Sequence, residues 1–159
     1  MIYCGYQGVG KTSYCKTHPN CVDLDSSNFE KVANWEVKYV NSAIDIESKG
    51  NNVFISAHRE VIEYLTKINH KFILVIPSDN KKIWGLRLTL RYEITKQTYA
   101  LKALNDFKRN FSSDMKYYKS LQCKKVFVSA VRVLTNLEEQ FQEGVTTRWN
   151  MLQETAERP

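Results

Sequence analysis

The sequence predicts one α/β domain built on a parallel sheet covered on both faces, and three observations carry that prediction. Short apolar runs alternate along the chain with longer stretches of helical periodicity. The runs are continuously apolar rather than alternating, as in strands buried on both sides. At 159 residues the chain can bury one sizeable core, and it shows no repeat, low-complexity tract or linker.

Met1 to Cys4 is short, apolar and followed by glycine, which predicts a buried strand feeding a loop. A helix is expected from Lys11 to about Lys16, stopped before Pro19, which disfavours helix at His18. Cys21 to Leu24 is a second strand, followed by the polar turn Asp25-Ser26-Ser27-Asn28. From Phe29 to Lys49, Val32, Trp35, Tyr39, Val40, Ala43, Ile44 and Ile46 recur at helical spacing, and Gly50 ends the helix. Asn52 to Ser56 is a third strand, and His58 to Asn69 a helix with Val61, Ile62, Leu65 and Ile68 on one side.

Lys71 to Pro77 is a fourth strand, since Phe72 to Ile76 is unbroken apolar chain bounded by charge and proline. Beyond it lie the helical segment containing "IWGLRLTLRYE" and a long helix from about Lys96 to Leu121. Lys124 to Ser129 is the fifth strand and Leu134 to Gln142 a further helix, while "TRWNMLQETAERP" is at best amphipathic.

Composition narrows the class. Hydrophobic residues make up 43% and charged residues 25%, ordinary for a soluble domain. No apolar run reaches the roughly 20 residues of a membrane helix. The N-terminus has no basic segment followed by an apolar one, so a cytoplasmic protein is expected. Cys4, Cys15, Cys21 and Cys123 have no zinc-site spacing and are expected as free thiols in a reducing compartment. The 23 basic against 17 acidic residues give +6 and a pI near 9.1, which favours anionic partners. The positive charge is spread, with no block of like charges marking a nucleic-acid tail.

Gly5-Tyr6-Gln7-Gly8-Val9-Gly10-Lys11-Thr12 fits G-x-x-x-x-G-K-[ST] between an apolar strand and a helix, the context a phosphate loop requires. Gly5, Gly8, Val9, Gly10 and Ser13 belong to the cradle, whose backbone N–H groups bind phosphate oxygens with help from the helix N-terminus. Lys11 would reach the β- and γ-phosphates, and the Thr12 hydroxyl would ligate Mg²⁺.

Asp23 and Asp25 flank Leu24 at the end of the second strand, so both carboxylates point the same way, toward the rim that carries the loop. One could hold Mg²⁺, the other orient an acceptor. Asp25 is preferred for the acceptor and Asp23, with Thr12, for the metal; aspartates opening a polar turn are the structural alternative. Ser26 can bond an acceptor or cap the next helix. Ser56 stands at a strand end where many phosphate-loop proteins carry an aspartate. His58 and Arg59 follow, the first more often a cap than a catalyst, the second able to reach an acceptor phosphate.

Arg87 and Arg91 lie four apart, on one helix face, beside a separate stripe of Ile83, Leu86 and Leu90. Guanidinium groups match phosphate oxygens and stabilise the charge of phosphoryl transfer, so this segment suits a lid over residues 79–98. Phe29, Trp35 and Tyr39 offer rings for stacking on an acceptor base, though at helical spacing aromatics are more often core.

This ordered set of motifs resembles small P-loop kinases of the nucleoside monophosphate kinase (adenylate-kinase-like) superfamily, in particular short members encoded by bacteriophages. The resemblance covers Met1 to about Val133. It implies a three-layer α/β/α fold with a five-stranded parallel sheet in the order 2-3-1-4-5 and a short helical lid. It also implies ATP and Mg²⁺, an acceptor region between strands two and three, and an arginine-bearing lid after strand four. By position, Lys11 and Thr12 match the loop and Arg87 and Arg91 the lid. Asp25, Phe29, Trp35 and Tyr39 fall in the acceptor region. The sequence departs at Ser56, and no arginine occurs between Asp25 and Lys49 to grip an acceptor phosphate.

The resulting expectation is a single phosphate-loop kinase domain over residues 1–159, transferring the γ-phosphate of ATP to a (deoxy)nucleoside monophosphate. For a phage-encoded member the setting would be the host bacterial cytoplasm. Two rivals stay open: a kinase of a 5′-hydroxyl on a nucleoside or nucleic acid, and a nucleotide-binding regulator without catalysis. Nucleotides are the expected partners, nucleic acid is not favoured, and a homodimer is left open.

Overall fold

The structure is a computed structural model that describes residues 1–78 and 80–130. The expected helix over 134–142 and the terminal amphipathic segment lie outside the described residues. Five parallel strands form one sheet: β1 (Ile2–Gly5), β2 (Cys21–Asp23), β3 (Asn52–Ser56), β4 (Phe72–Pro77) and β5 (Lys124–Val128), in the order β2-β3-β1-β4-β5. Helices cover both faces, giving the three-layer arrangement. They are α1 (Lys11–Thr17), α2 (Trp35–Ser48), α3 (Arg59–Lys67), α4 (Lys81–Thr95) and α5 (Thr98–Ser120).

Burial explains the strand order. β1 is buried at every residue, and β3 and β4 are buried through their middles, so these apolar runs take the centre. The shorter β2 is only half-buried, and β5 exposes Lys124 and Phe127; both sit at the edges. Gly5 is paired with Ser56 on one side and Val75 on the other, which aligns the carboxyl ends of the central strands along one rim. α5 presents Ala100, Leu104, Phe107, Phe111, Met115 and Tyr118 as its buried face, a 3–4 residue periodicity that fixes its orientation.

Two boundaries differ from the sequence expectation. The helix expected from Phe29 begins only at Trp35, because Asn34 adopts the left-handed conformation (φ 60°) and Ser26–Asn28 forms a single 3-10 turn. Asparagine tolerates that conformation, whereas the apolar periodicity through Phe29 and Val32 does not register it. Likewise Lys96 (φ 52°) caps α4, and α5 starts at Thr98.

The cysteine expectation is corrected. Cys15 on α1 and Cys21 on β2 are joined in a disulfide, while Cys4 and Cys123 carry free thiols. The helix packs alongside the strand closely enough to bring the two Cα atoms to 4.9 Å, a separation typical of bridged cysteines.

Candidate active site

The rim holds a cavity of about 1080 Å³. Its lining includes Gly8, Gly10, Lys11, Thr12 and Ser13 from the loop, Asp23, Asp25 and Ser27 from the second strand and turn, and Arg87 and Arg91 from α4.

The loop has the shape its glycines predict. Gly8 (φ 84°) and Gly10 (φ 91°) occupy the left-handed region, where a side chain is strained. Gly8 is also crowded: a Cβ there would stand 2.8 Å from Leu88 Cδ2. Gly50 (φ 86°) has the same conformation with nothing within 4 Å, so it isolates the backbone term. Gly50→Ala is expected to cost about 1–2 kcal/mol by thermal or denaturant unfolding. Gly8→Ala should cost measurably more, because Leu88 must also move. Equal losses would show that Leu88 yields freely.

Lys11 lies back across Gly5, its Nζ donating to the Gly5 carbonyl at 3.1 Å. A Cβ at Gly5 would meet Lys11 Cδ at 2.9 Å, so that glycine makes room for the lysine. Burial holds the Lys11 pKa below the usual lysine value; Asp23 and Asp25 oppose that and Arg91 adds to it. Only one of the ammonium's three donors is committed to Gly5, which leaves donors for an anion in the loop. Thr12 Oγ1 donates to Asp23 Oδ2 at 2.5 Å, so the hydroxyl and the carboxylate already share one point on the rim. A hydroxyl and a carboxylate beside a phosphate cradle are the oxygen donors Mg²⁺ prefers, and the residues present fit that ion.

Asp25 caps the 3-10 turn by accepting from Ser27 N–H at 2.8 Å and also lines the cavity. Ser56 lines it too, with its backbone N–H donating to the Tyr39 hydroxyl at 2.9 Å. That hydroxyl donates in turn to the Leu24 carbonyl at 2.7 Å, and burial raises its pKa, so the phenol stays protonated.

The aromatic residues of the expected acceptor region are placed mainly in packing. Tyr39 is wholly buried and Trp35 nearly so, and Phe29 meets Tyr39 edge to face. Ser26 Oγ bonds His58 Nε2 at 3.1 Å, and Arg59 stacks over Tyr117 with its guanidinium carbon 4.4 Å from the ring centre. None of these six residues is in the cavity lining. Sequence reasoning passed over Lys31, whose ammonium lies 2.9 Å from the Trp35 ring centre and whose pKa is held below the usual lysine value by burial. Its only signal in the sequence is a cation between Phe29 and Trp35.

Burial, reinforced by Lys31, lowers the His58 pKa from 6.5 to about 4. The unfolded chain therefore binds more protons between those values, and folding stability should fall as pH drops from about 6.5 toward 4. Allowing for partial exposure, the loss attributable to His58 is about 2 kcal/mol. The difference in unfolding free energy between wild type and His58→Gln, followed across that range, checks it; a pH-independent difference would count against a neutral His58.

Arg87 is part of the loop's support. Its Nε donates to the Gly8 carbonyl and its Nη1 to the Ala130 carbonyl, both at 2.9 Å. Trp84 Nε1 donates to the Gln7 carbonyl at 3.2 Å. α4 thus holds the loop by the carbonyls of Gln7 and Gly8. Arg91 is half-buried over Tyr99, 5.1 Å from the ring centre, and faces the cavity. Beside it Leu86, Leu90 and Ile94 present an exposed apolar wall to the same space.

No protein-family model matches the chain, and neither does any curated protein. Among solved structures it is similar to shikimate kinase from Bacteroides thetaiotaomicron, at 15% identity and a TM-score of 0.46, over 99% of this chain and 97% of that one. No helix among the described residues is long and apolar enough to cross a membrane.

Proposed function

We propose that the chain is an ATP-dependent phosphotransferase whose acceptor is a nucleotide, a (deoxy)nucleoside monophosphate. The observation that carries this is the sharing of one cavity by a formed phosphate loop, the Thr12–Asp23 pair, a separate carboxylate in Asp25, and Arg91 from α4. The cavity lies at the upper end of the range for small-molecule sites, which suits a donor and a second ligand together.

In this reading the loop amides and Lys11 bind the donor's terminal phosphates and orient them for in-line transfer. Thr12 and Asp23 would hold Mg²⁺, which supplies charge neutralisation across the phosphates when bound. Arg91 faces the charge that develops on the transferred group. Arg87, on the same helix, keeps the cradle in shape through the Gly8 carbonyl, a positioning role. Asp25 orients the acceptor.

A hydroxyl acceptor is the second reading, favoured by Asp25: a carboxylate at the rim helps an alcohol lose its proton, whereas a phosphate oxygen needs little such help. One screen separates the two. ATP consumption is measured with nucleoside monophosphates, nucleosides and 5′-hydroxyl oligonucleotides as acceptors. Turnover with monophosphates alone supports the proposal. Turnover confined to hydroxyl acceptors replaces it with the second reading, and ATP binding without turnover on any acceptor removes catalysis altogether.

A further inference from the structure

α1 has only seven residues and no side-chain N-cap bond. A helix that short does not persist alone and takes its position from its contacts. Two of those contacts run to β2, and they are in step. Thr12 and Cys15 are three apart on the helix, hence on one side of it, while Asp23 and Cys21 are two apart on the strand, hence on one face. Thr12 meets Asp23, and one turn further on Cys15 meets Cys21. Helix and strand are therefore joined by two rungs, one hydrogen-bonded at the metal side of the loop and one covalent behind it. The covalent rung spans a turn of five residues, in which His18 N–H bonds Cys15 O and Cys21 N–H bonds His18 O. Both cysteines are only half-buried, so a small thiol or disulfide has access to them.

We propose that Cys15 and Cys21 are a reversible dithiol–disulfide site that sets the position of Thr12 against Asp23, and through it the strength of MgATP binding. The nucleotide effect rests on the function proposed above; the covalent site does not. The oxidant is a low-molecular-weight disulfide of the glutathione class. The thiolate of one cysteine attacks it, forming a mixed disulfide and releasing one small thiol. The second thiolate attacks the protein sulfur of that bond, closing Cys15–Cys21 and releasing the second small thiol. Two electrons and two protons pass from the protein to the oxidant, and excess reduced thiol reverses both steps. The closed form holds α1 against β2 one turn beyond Thr12; the open form leaves that register to Thr12 and Asp23 alone.

The test uses the full chain equilibrated in glutathione buffers of graded ratio, with wild type, Cys15→Ser and Cys21→Ser compared. Alkylation after rapid acid quench and unfolding, read by intact mass, should count two thiols in oxidised protein, with Cys15 and Cys21 the protected pair, and four in reduced protein. Unfolding is needed because Cys4 is buried in the native chain. Amide hydrogen exchange over residues 14–17, measured without nucleotide, should slow on oxidation in wild type and stay unchanged in both variants. The MgATP dissociation constant should fall several-fold on oxidation of wild type alone. Four thiols persisting in excess oxidised glutathione overturn the proposal, as does exchange or MgATP affinity that ignores oxidation. Slowed exchange with MgATP bound by neither form would overturn the nucleotide effect and the function proposed for the site, while leaving the covalent site standing.

Discussion

Lys11→Ala is expected to lower phosphoryl transfer by about three orders of magnitude, the upper end of what removing one preorganised electrostatic donor costs. The magnitude follows from where the ammonium sits. Burial depresses its pKa, and a charge partly shielded from water interacts more strongly with phosphate oxygens than an exposed one. Stability should change little, because the one hydrogen bond lost is that to the Gly5 carbonyl, worth about 1 kcal/mol. Lys11→Arg should not rescue activity: the side chain runs across Gly5 in a channel that would bring even a Cβ there to 2.9 Å from Lys11 Cδ. Steady-state kinetics with the best acceptor from the screen, together with a thermal melt, provide the check. Near-wild-type turnover in a well-folded Lys11→Ala protein would remove the loop from the chemistry.

Trp84→Ala is expected to be the most destabilising single truncation, at about 3–5 kcal/mol. Trp84 is the largest of the fully buried side chains among the described residues, and its indole N–H is the partner of the Gln7 carbonyl. For a chain of this size the loss corresponds to a fall in melting temperature of about 10 °C or more. Truncation also removes a wall from Gly8, since the indole lies 3.6 Å from where a Cβ would stand. The destabilised protein should therefore bind nucleotide weakly even at temperatures where it is folded. Trp84→Phe separates the two contributions, because it keeps much of the ring volume and removes only the N–H donor. If Trp84→Phe melts like Trp84→Ala, the carbonyl contact and not the packing is what matters.

Much of this was legible in the sequence where one local rule sufficed. Asn52–Ser56 is a strand with the expected ends because an apolar run and its polar flanks decide it. The phosphate loop declares itself by its spacing together with the apolar strand before it and the helix after it. What was not legible depends on two elements meeting. Cys15 and Cys21 fit no metal or redox spacing, and their bond exists only because α1 lies along β2. Arg87 reads in the sequence as a lid cation for the transferred phosphate, and its bonds to the carbonyls of Gly8 and Ala130 come into view only once α4 is packed against the loop. The start of α2 escaped because hydrophobic periodicity carries no information about one asparagine in a left-handed conformation.

Tyr39 shows how the rim opens at all. In a regular parallel ladder Leu24, whose N–H bonds the Phe54 carbonyl, would next accept from the Ser56 N–H. Instead the Tyr39 hydroxyl is inserted into that rung, accepting from Ser56 and donating to Leu24. The phenol does the work of a trapped water molecule, except that a covalent tether keeps it from exchanging. The inserted oxygen spreads the two strand ends, which frees the chain after Leu24 to turn into the cavity with Asp25 and Ser27. A phenylalanine at 39 would leave the two peptide groups either orphaned or zipped together, and a zipped rung would narrow the cleft on its acceptor side. The aperture of this site is thus gauged by a single oxygen atom belonging to a residue that never lines it.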